Sequence, residues 1–153
     1  MEFKIETRKP NESEVRAILQ RHLEFCHSNT PIEHVHALDI SKLEAPDITL
    51  FGVSRDQTLL GIGAIRILDS QHAELKSMHT ISEARGLGVA KALVEHISQF
   101  AKNLGVTRLS LETGTNENFA PARNLYETLG FEPCSAFGEY ENTEDNICMT
   151  KRL

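Results

Sequence analysis

The amino-acid sequence predicts a single α/β (α+β) domain built around a mixed sheet. Its apolar residues switch repeatedly between the period of a strand and that of a helix, in the order β-α-β-β-β-α-β-α-β-β, with a short extra helix after the first long one. The chain has 153 residues, 40% of them hydrophobic, which is enough for one sizeable core. No repeat, low-complexity tract or Pro/Gly-rich linker divides it, so we expect one domain over residues 1–153.

The N-terminal third predicts a strand, a long helix and a loop. "FKIETR" (3–8) alternates apolar and polar residues as a strand does. Asn11, with a glutamate three residues later, is typical of a helix start, and apolar residues recur on one face over about 12–27. Residues 27–39 have no clean period and are predicted to be mostly loop, with a short helix near "DISKL" (39–43).

The other elements follow from the same patterns. Three apolar runs joined by short polar turns predict an antiparallel meander over 48–55, 58–68 and 72–80. Apolar residues spaced by three or four predict a helix over 89–104, and Gly105 stands where a left-handed residue would end it. A strand, a helix and a closing pair of strands are predicted over 106–113, 119–130, 131–140 and 146–153.

Charge and composition argue against several classes of function. The net charge is −6, so the field of the protein repels nucleic acids and anionic membranes. No apolar run approaches the roughly 20 residues that span a bilayer, and the first residues lack the apolar centre of a secretory signal. Cys26, Cys134 and Cys148 have no CxxC spacing and are expected to be reduced thiols. We therefore expect a cytoplasmic protein.

One short turn, "EARGLGVAKAL" (83–93), carries the clearest functional signal. Its glycines precede a helix, so successive backbone N–H groups point outward at the positive end of the helix dipole, an arrangement that favours an anion. The Walker pattern does not fit, because Gly86 and Gly88 flank a single residue and no hydroxyl residue follows Lys91. A dinucleotide fingerprint does not fit either, because Lys91 stands where a third Gly or Ala is needed.

The pattern that does fit is Arg/Gln-x-x-Gly-x-Gly/Ala, formed by Arg85, Gly88 and Ala90. It resembles the pyrophosphate loop of the GCN5-related N-acetyltransferases (GNAT superfamily), and "ARNLYETLGF" (122–131) is similar to another segment of that family. The chain end further resembles small bacterial single-domain members whose substrates are unassigned. The resemblance implies the GNAT fold: a mixed, mostly antiparallel sheet of six to seven strands and about four helices, ordered β-α-α-β-β-β-α-β-α-β-β.

The resemblance also implies acetyl-CoA as cofactor and no metal. An uncharged amine would attack the thioester directly in a ternary complex. A backbone N–H of the strand carrying Met78 and Thr80 would bind the oxyanion, and Tyr126 would protonate the leaving thiolate. The residues expected to contact the cofactor are Met78, His79, Thr80, Arg85, Gly86, Leu87, Gly88, Val89, Ala90, Asn118 and Tyr126. For Asn118, capping of the following helix is the alternative role.

The sequence leaves the general base open. Glu74 and His79 share a strand and are an odd number of residues apart, so without a bulge they face opposite sides and only one can line the site. His79 has a suitable intrinsic pKa for a base near neutral pH. Glu112, at the end of the next strand, and a chain of water molecules are the other candidates.

We expect the acceptor to be the primary amine of a small molecule. The resemblance implies that the loop 27–39 covers the acceptor as a lid, so that His34 and His36, with Glu112 and Thr113, would face it. A metal is not expected, because the spacing of the histidines fits no zinc pattern. The alternatives are a protein or peptide amine as acceptor, or a sensor module that binds acyl-CoA without catalysis. Exposed edges after residue 140 would also allow a homodimer.

Overall fold

The computed structural model describes residues 2–31 and 40–153, in which helices cover both faces of a seven-stranded sheet. The strands are β1 (Lys4–Arg8), β2 (Ile48–Arg55), β3 (Thr58–Ile67), β4 (His72–Thr80), β5 (Arg108–Gly114), β6 (Glu132–Cys134) and β7 (Asn146–Arg152). The helices are α1 (Ser13–Asn29), α2 (Ile40–Leu43), α3 (Val89–Asn103) and α4 (Ala120–Thr128). In space the strands follow β1-β2-β3-β4-β5-β7-β6, and all neighbours are antiparallel except β4 and β5. The predicted α/β (α+β) class, with a mixed and mostly antiparallel sheet, is confirmed.

The sheet separates two apolar cores. On one face, α3 buries Leu93 and Ile97, and α4 buries Tyr126. On the opposite face, α1 buries Val15 and Leu19. These side chains recur at helical spacing, and burying each contributes roughly 1.5–3 kcal/mol. The apolar stripes that predicted α1 and α3 are therefore the faces that hold both helices on the sheet.

The start of α1 differs from the prediction. The residue before the helix is Glu12 rather than Asn11, and no described side chain caps the first N–H groups. The Glu12 carboxylate instead accepts the backbone N–H of Lys9 at 2.6 Å and Nε of Arg8 at 3.0 Å. Because the glutamate side chain is longer, it reaches back across the preceding turn and stabilises the link from β1 into the helix.

The strand predicted over 131–140 is wrong beyond its first residues. Only Glu132–Cys134 pairs with β7, as β6, and the chain then leaves the sheet. A turn follows in which the N–H of Tyr140 donates to the carbonyl of Phe137 at 3.0 Å. The segment 135–145 consequently lies across the sheet face that α1 also covers, where Tyr140 contacts β4.

A bulge interrupts β4 close to where this strand separates from β5. Ser77, with φ of +54°, and Met78 together oppose Gly63 of β3, so the register shifts by one residue. The parallel pairing between β4 and β5 ends at Leu75 and Leu111. Beyond these residues the two strands part, and backbone polar groups of β4 face the gap instead of a neighbouring strand.

Candidate active site

The bulge reverses the alternation of side chains along β4. A Cβ atom built on Gly63 would collide with Sδ of Met78 and lie 3.3 Å from Cδ1 of Ile97, so Met78 points towards α3. His79, the next residue, contacts α1 on the other face. Glu74 and His79 therefore line the same cavity. The expectation that they face opposite sides depended on a regular strand, which β4 is not.

A cavity of about 310 Å³ occupies the gap between the ends of β4 and β5. Of the predicted site residues, those that line it are Glu74, Met78, His79, Thr80, Arg85, Ala90, Glu112, Thr113, Asn118 and Tyr126. Four predicted cofactor contacts do not line it: Gly86, Leu87 and Gly88 form the exposed turn next to it, and Val89 is buried in the core under α3. His34 and His36 lie outside the described residues.

The turn before α3 presents backbone N–H groups that have no acceptor in the part of the chain that the structure describes. Gly86 and Gly88 have φ of +80° and +85°, in the left-handed region, and a Cβ atom on either would meet no atom of the described residues within 4 Å. The first N–H groups of α3, which begins at Val89, have no acceptor within the helix. Arg85 adds an exposed guanidinium at the cavity. The helix dipole, the free N–H groups and this cation together suit a phosphate.

Tyr126 places a phenol in the wall of the cavity. The residue lies on α4, is 7% exposed, and packs edge-on against Phe131 with ring centroids 5.7 Å apart. Burial raises the pKa of Tyr126, so the hydroxyl stays protonated at neutral pH. The side chain can therefore act as a hydrogen-bond or proton donor within the cavity.

A buried ion pair with a tyrosine bonded to it lies beside these residues, and the sequence analysis identified only one of the three side chains, Glu74. Nζ of Lys76 lies 3.0 Å from Oε2 of Glu74, and the two residues are 9% and 2% exposed. The hydroxyl of Tyr140 donates to the same carboxylate oxygen and accepts from Lys76 at 2.6 Å. Burial and the Glu74 charge raise the pKa of Tyr140. The i, i+2 spacing of Glu74 and Lys76 could have indicated this pair, whereas no local signal pointed to Tyr140.

Two residues of α1 extend the site from His79 and were also missed. Nδ1 of His79 lies 3.3 Å from Nδ1 of His22, and Nε2 of His22 lies 3.8 Å from Sγ of Cys26. The i, i+4 spacing of His22 and Cys26 puts both on the helix face that turns to β4. Burial, ahead of the charge of Glu112, raises the pKa of Cys26 to about 11, so this thiol is not a nucleophile at neutral pH.

Glu112 and Asn118 have hydrogen-bond partners at the rim of the cavity. Nδ2 of Asn146 donates to Oε2 of Glu112 at 3.3 Å. Nδ2 of Asn118 donates to Oδ1 of Asn29 at 2.7 Å and so links the entry of α4 to the end of α1. The local cap is made by Asn116, which accepts the N–H of Asn118 at 2.9 Å. Capping, the alternative considered for Asn118, is therefore carried out by its neighbour.

Two wider features complete the description of residues 2–31 and 40–153. Within these ranges, no three His, Cys, Asp or Glu side chains are grouped so that they could hold a metal ion. None of the helices in the same ranges has the length and apolar character needed to cross a bilayer.

Comparison with known proteins agrees with this geometry. Residues 13–131 match the acetyltransferase (GNAT) family. The chain is 40% identical over 140 residues to the uncharacterised N-acetyltransferase YsnE of Bacillus subtilis, covering 92% of this chain and 93% of that protein. It is 39% identical over 138 residues to the uncharacterised N-acetyltransferase YedL of Escherichia coli, covering 90% and 87%. The PaiA N-acetyltransferase of Thermoplasma acidophilum, solved with coenzyme A, has the same fold, with a TM-score of 0.75 at 17% identity over 100% of both chains. The chain belongs to the acetyltransferase (GNAT) family.

Proposed function

We propose that this protein transfers the acetyl group of acetyl-CoA directly to the primary amine of a small molecule, within a ternary complex. The observation that carries the proposal is the cavity in the β4–β5 gap, which connects the turn before α3 to the side chains under α1. The relatives named as N-acetyltransferases, and the coenzyme A bound to the Thermoplasma protein, support the choice of cofactor.

The cofactor is held mainly by backbone groups. Its pyrophosphate binds the N–H groups of the turn 85–90 and the start of α3, with Arg85 beside it. Its thioester enters the gap, where an N–H group of β4 next to the bulge donates to the carbonyl oxygen. That hydrogen bond strengthens as the oxygen becomes an oxyanion, so it stabilises the transition state more than the ground state.

The transfer needs one donor and one base. The lone pair of the amine attacks the carbonyl carbon, a C–N bond forms, and the C–S bond then breaks with its electron pair on sulfur. Tyr126 donates its proton to the departing thiolate and is reprotonated from solvent. No covalent enzyme intermediate is formed.

Among the three side chains considered as the base, the contacts favour His79. Oε2 of Glu74 already accepts from Lys76 and Tyr140, which makes this carboxylate part of a buried ion pair. Glu112 accepts from Asn146 at the rim. His79 lines the cavity directly after the bulge, next to the N–H group that we propose binds the thioester carbonyl.

The size of the cavity favours a small acceptor over a protein chain. The hydrogen bond between Asn118 and Asn29 links α4 to α1 at its rim. Tyr140, held by Lys76, lines it on the side of the segment 135–145. A volume of about 310 Å³ for both the thioester end and the amine falls near the lower end for small-molecule sites.

We also propose that the reaction takes place in the cytoplasm. Cys26, Cys134 and Cys148 are all free thiols, as is usual in a reducing compartment.

Thermal unfolding in the presence of ligands tests the cofactor assignment. We expect saturating acetyl-CoA and CoA to raise the unfolding temperature, because a ligand at a hundred times its Kd stabilises the native state by about 2.7 kcal/mol. ATP, which also carries phosphates but lacks the pantetheine arm, should stabilise much less. An absence of any shift with acetyl-CoA would contradict the proposal.

Thiol release from acetyl-CoA then tests the acceptor class. Small amines, amino acids and peptides with free N-termini are compared at equal concentration. We expect release to be accelerated by at least one small amine and not by peptides. Acceleration by peptides alone would contradict the small-molecule acceptor.

A further inference from the structure

The contacts around His79 form a continuous chain from the cavity into α1. Nδ1 of His79 faces Nδ1 of His22 at 3.3 Å, and Nε2 of His22 faces Sγ of Cys26 at 3.8 Å. The two imidazole rings meet edge to face, with centroids 5.3 Å apart. Among the described residues, Nε2 of His79 has no hydrogen-bond partner. It is the remaining ring nitrogen of a side chain that lines the cavity.

This geometry couples the tautomers of the two histidines. A neutral imidazole carries one N–H donor and one bare nitrogen acceptor. Only one hydrogen fits between two nitrogens 3.3 Å apart, so one Nδ1 donates and the other accepts. If His79 donates from Nδ1, its Nε2 is bare and has a lone pair that can accept a proton. Nε2 of His22 then carries the hydrogen, which points to the sulfur of Cys26.

His79 is neutral in its surroundings, and the pKa near neutrality that the sequence suggested for it is not kept in the folded protein. Its pKa is lowered to about 4, first by burial and then by the positive charges of Arg85 and Arg21, which approach from the turn before α3 and from α1. No carboxylate is hydrogen-bonded to its ring among the described residues. Its tautomer is therefore set by His22 rather than by an acidic partner.

His22 is neutral for similar reasons. Its pKa is lowered to about 4, first by burial, then by His79 and by Lys76 of β4. The thiol of Cys26 is also uncharged, since burial raises its pKa to about 11. All three side chains are therefore uncharged. The direction of the hydrogen bond between the two Nδ1 atoms then decides whether Nε2 of His79 can accept a proton.

We propose that His22 is a positioning residue for the transfer, with Nδ1 accepting the Nδ1–H of His79 and so leaving Nε2 of His79 bare to take the proton of the acceptor amine. The inference rests on the proposed function, because it names the base of that same site. As the C–N bond forms, the N–H proton of the amine moves to Nε2 of His79. The resulting imidazolium keeps its Nδ1–H on His22 and loses the Nε2 proton to solvent after product leaves.

Nitrogen-15 NMR of the imidazole groups reads the tautomer in the wild-type protein without any acceptor. With CoA bound at neutral pH, we expect Nδ1 of His79 and Nε2 of His22 to carry the hydrogens. A protonated Nε2 on neutral His79 would overturn the proposal. The measurement does not depend on activity, so it separates this inference from the proposed function, which fails if CoA does not bind or no amine is acetylated.

Two replacements of His22 separate positioning from simple packing. In His22→Asn, the amide oxygen lies near the place of Nδ1 and can still accept from His79, whereas His22→Leu fills the space without an acceptor. We expect kcat to fall at least about tenfold in His22→Leu and to stay within about threefold of wild type in His22→Asn. Stabilisation by acetyl-CoA should be retained in both variants.

The matched control is His27→Asn. His27 is on the same helix but is exposed and does not line the cavity. Two rates are measured for each variant. The first is acetyl transfer to the fastest amine of the acceptor panel, and the second is hydrolysis of acetyl-CoA, in which water is the acceptor. Equal rates in wild type and His22→Leu would overturn the proposal. So would an equal loss in the Asn and Leu variants, because an acceptor at Nδ1 would then not be what matters.

Discussion

Tyr126 and Tyr140 are the two tyrosines of the chain, and both line the cavity, but their hydroxyl groups have different surroundings. The hydroxyl of Tyr140 is bonded to Glu74 and Lys76, so it serves a buried ion pair. The ring of Tyr126 packs on Phe131, and its phenol is kept protonated by burial. Only Tyr126 therefore combines position with an available proton.

Replacing Tyr126 by Phe tests that assignment. The ring and its packing are retained while the donor is lost, so we expect kcat to fall by about 100-fold, the lower range for general acid catalysis. Stabilisation by acetyl-CoA should be unchanged. Steady-state thiol release and ligand-dependent unfolding on the same preparation check both points. An unchanged kcat would mean that solvent protonates the thiolate.

Lys76 is predicted to be needed chiefly because Glu74 is buried. In Lys76→Met the carboxylate, 2% exposed, loses its cation, so we expect the free energy of unfolding to fall by about 3 kcal/mol. The double variant Glu74→Gln/Lys76→Met removes both charges and should recover most of that loss. Urea unfolding compares the three proteins. Equal losses in the single and double variants would contradict a charge effect.

The two neutral histidines make stability depend on pH. Their folded pKa values of about 4 lie below the 6.5 of an unfolded chain, so the unfolded state binds more protons in between. The contribution of the two histidines to the free energy of unfolding is therefore complete above pH 6.5, and it is lost as the pH drops towards 4. Because His22→Asn removes one titrating group, its stability should fall less steeply over this range. Urea unfolding at several pH values measures the slopes, and parallel slopes would contradict the burial argument.

At the scale of the elements, the turn before α3 can be tested against a matched glycine. Gly88 and Gly105 both have positive φ, of +85° and +88°, and within residues 2–31 and 40–153 no atom lies within 4 Å of a Cβ built on either. Replacement by Ala should cost each about 1 kcal/mol of stability. Only Gly88→Ala should also weaken stabilisation by acetyl-CoA, because its methyl group would stand where the phosphate approaches. Equal ligand effects in both variants would remove the turn from the binding site.

Sequence periodicity predicted the regular elements but not the irregular positions within them. The stripes of α1 and α3 and the meander of β2, β3 and β4 could be predicted because each buries one regular face. The bulge at Ser77 could not, because one inserted residue leaves the local pattern of apolar residues almost unchanged. The end of β6 was also hidden, because the apolar Ala136 and Phe137 follow Cys134 and Ser135, and Phe137 packs against His72 and Tyr140 without pairing as a strand.

At the scale of the whole molecule, the fold and the family were predicted from the order of elements together with the resemblance of the turn 85–90 and of the segment 122–131 to one family. The candidate site was predicted in part, since Glu74, His79 and Tyr126 stand on elements with local signals. His22 and Tyr140 were missed because they come from α1 and from the segment 135–145, brought to β4 only by the packing of both onto one sheet face. Contacts between residues distant in sequence have no local pattern to indicate them.

The charge of the whole molecule does not by itself favour the proposed cofactor. A net charge of −6 discourages polyanionic partners, whereas the proposed cofactor carries phosphate groups. Local donors resolve the difference, because Arg85 and the start of α3 present positive potential where the pyrophosphate is expected. Binding of acetyl-CoA should therefore depend on this turn rather than on the overall field.

The most direct test of the account is the stoichiometry of transfer. Acetyl-CoA with a labelled acetyl group is mixed with the protein and each amine of the panel, and free CoA, acetylated amine and acetylated protein are quantified together. The account predicts, for at least one small amine, one acetylated amine per CoA released and no acetyl group on the protein. Stabilisation by CoA without any acetylated amine, or label retained on a side chain such as Cys26, would contradict direct transfer.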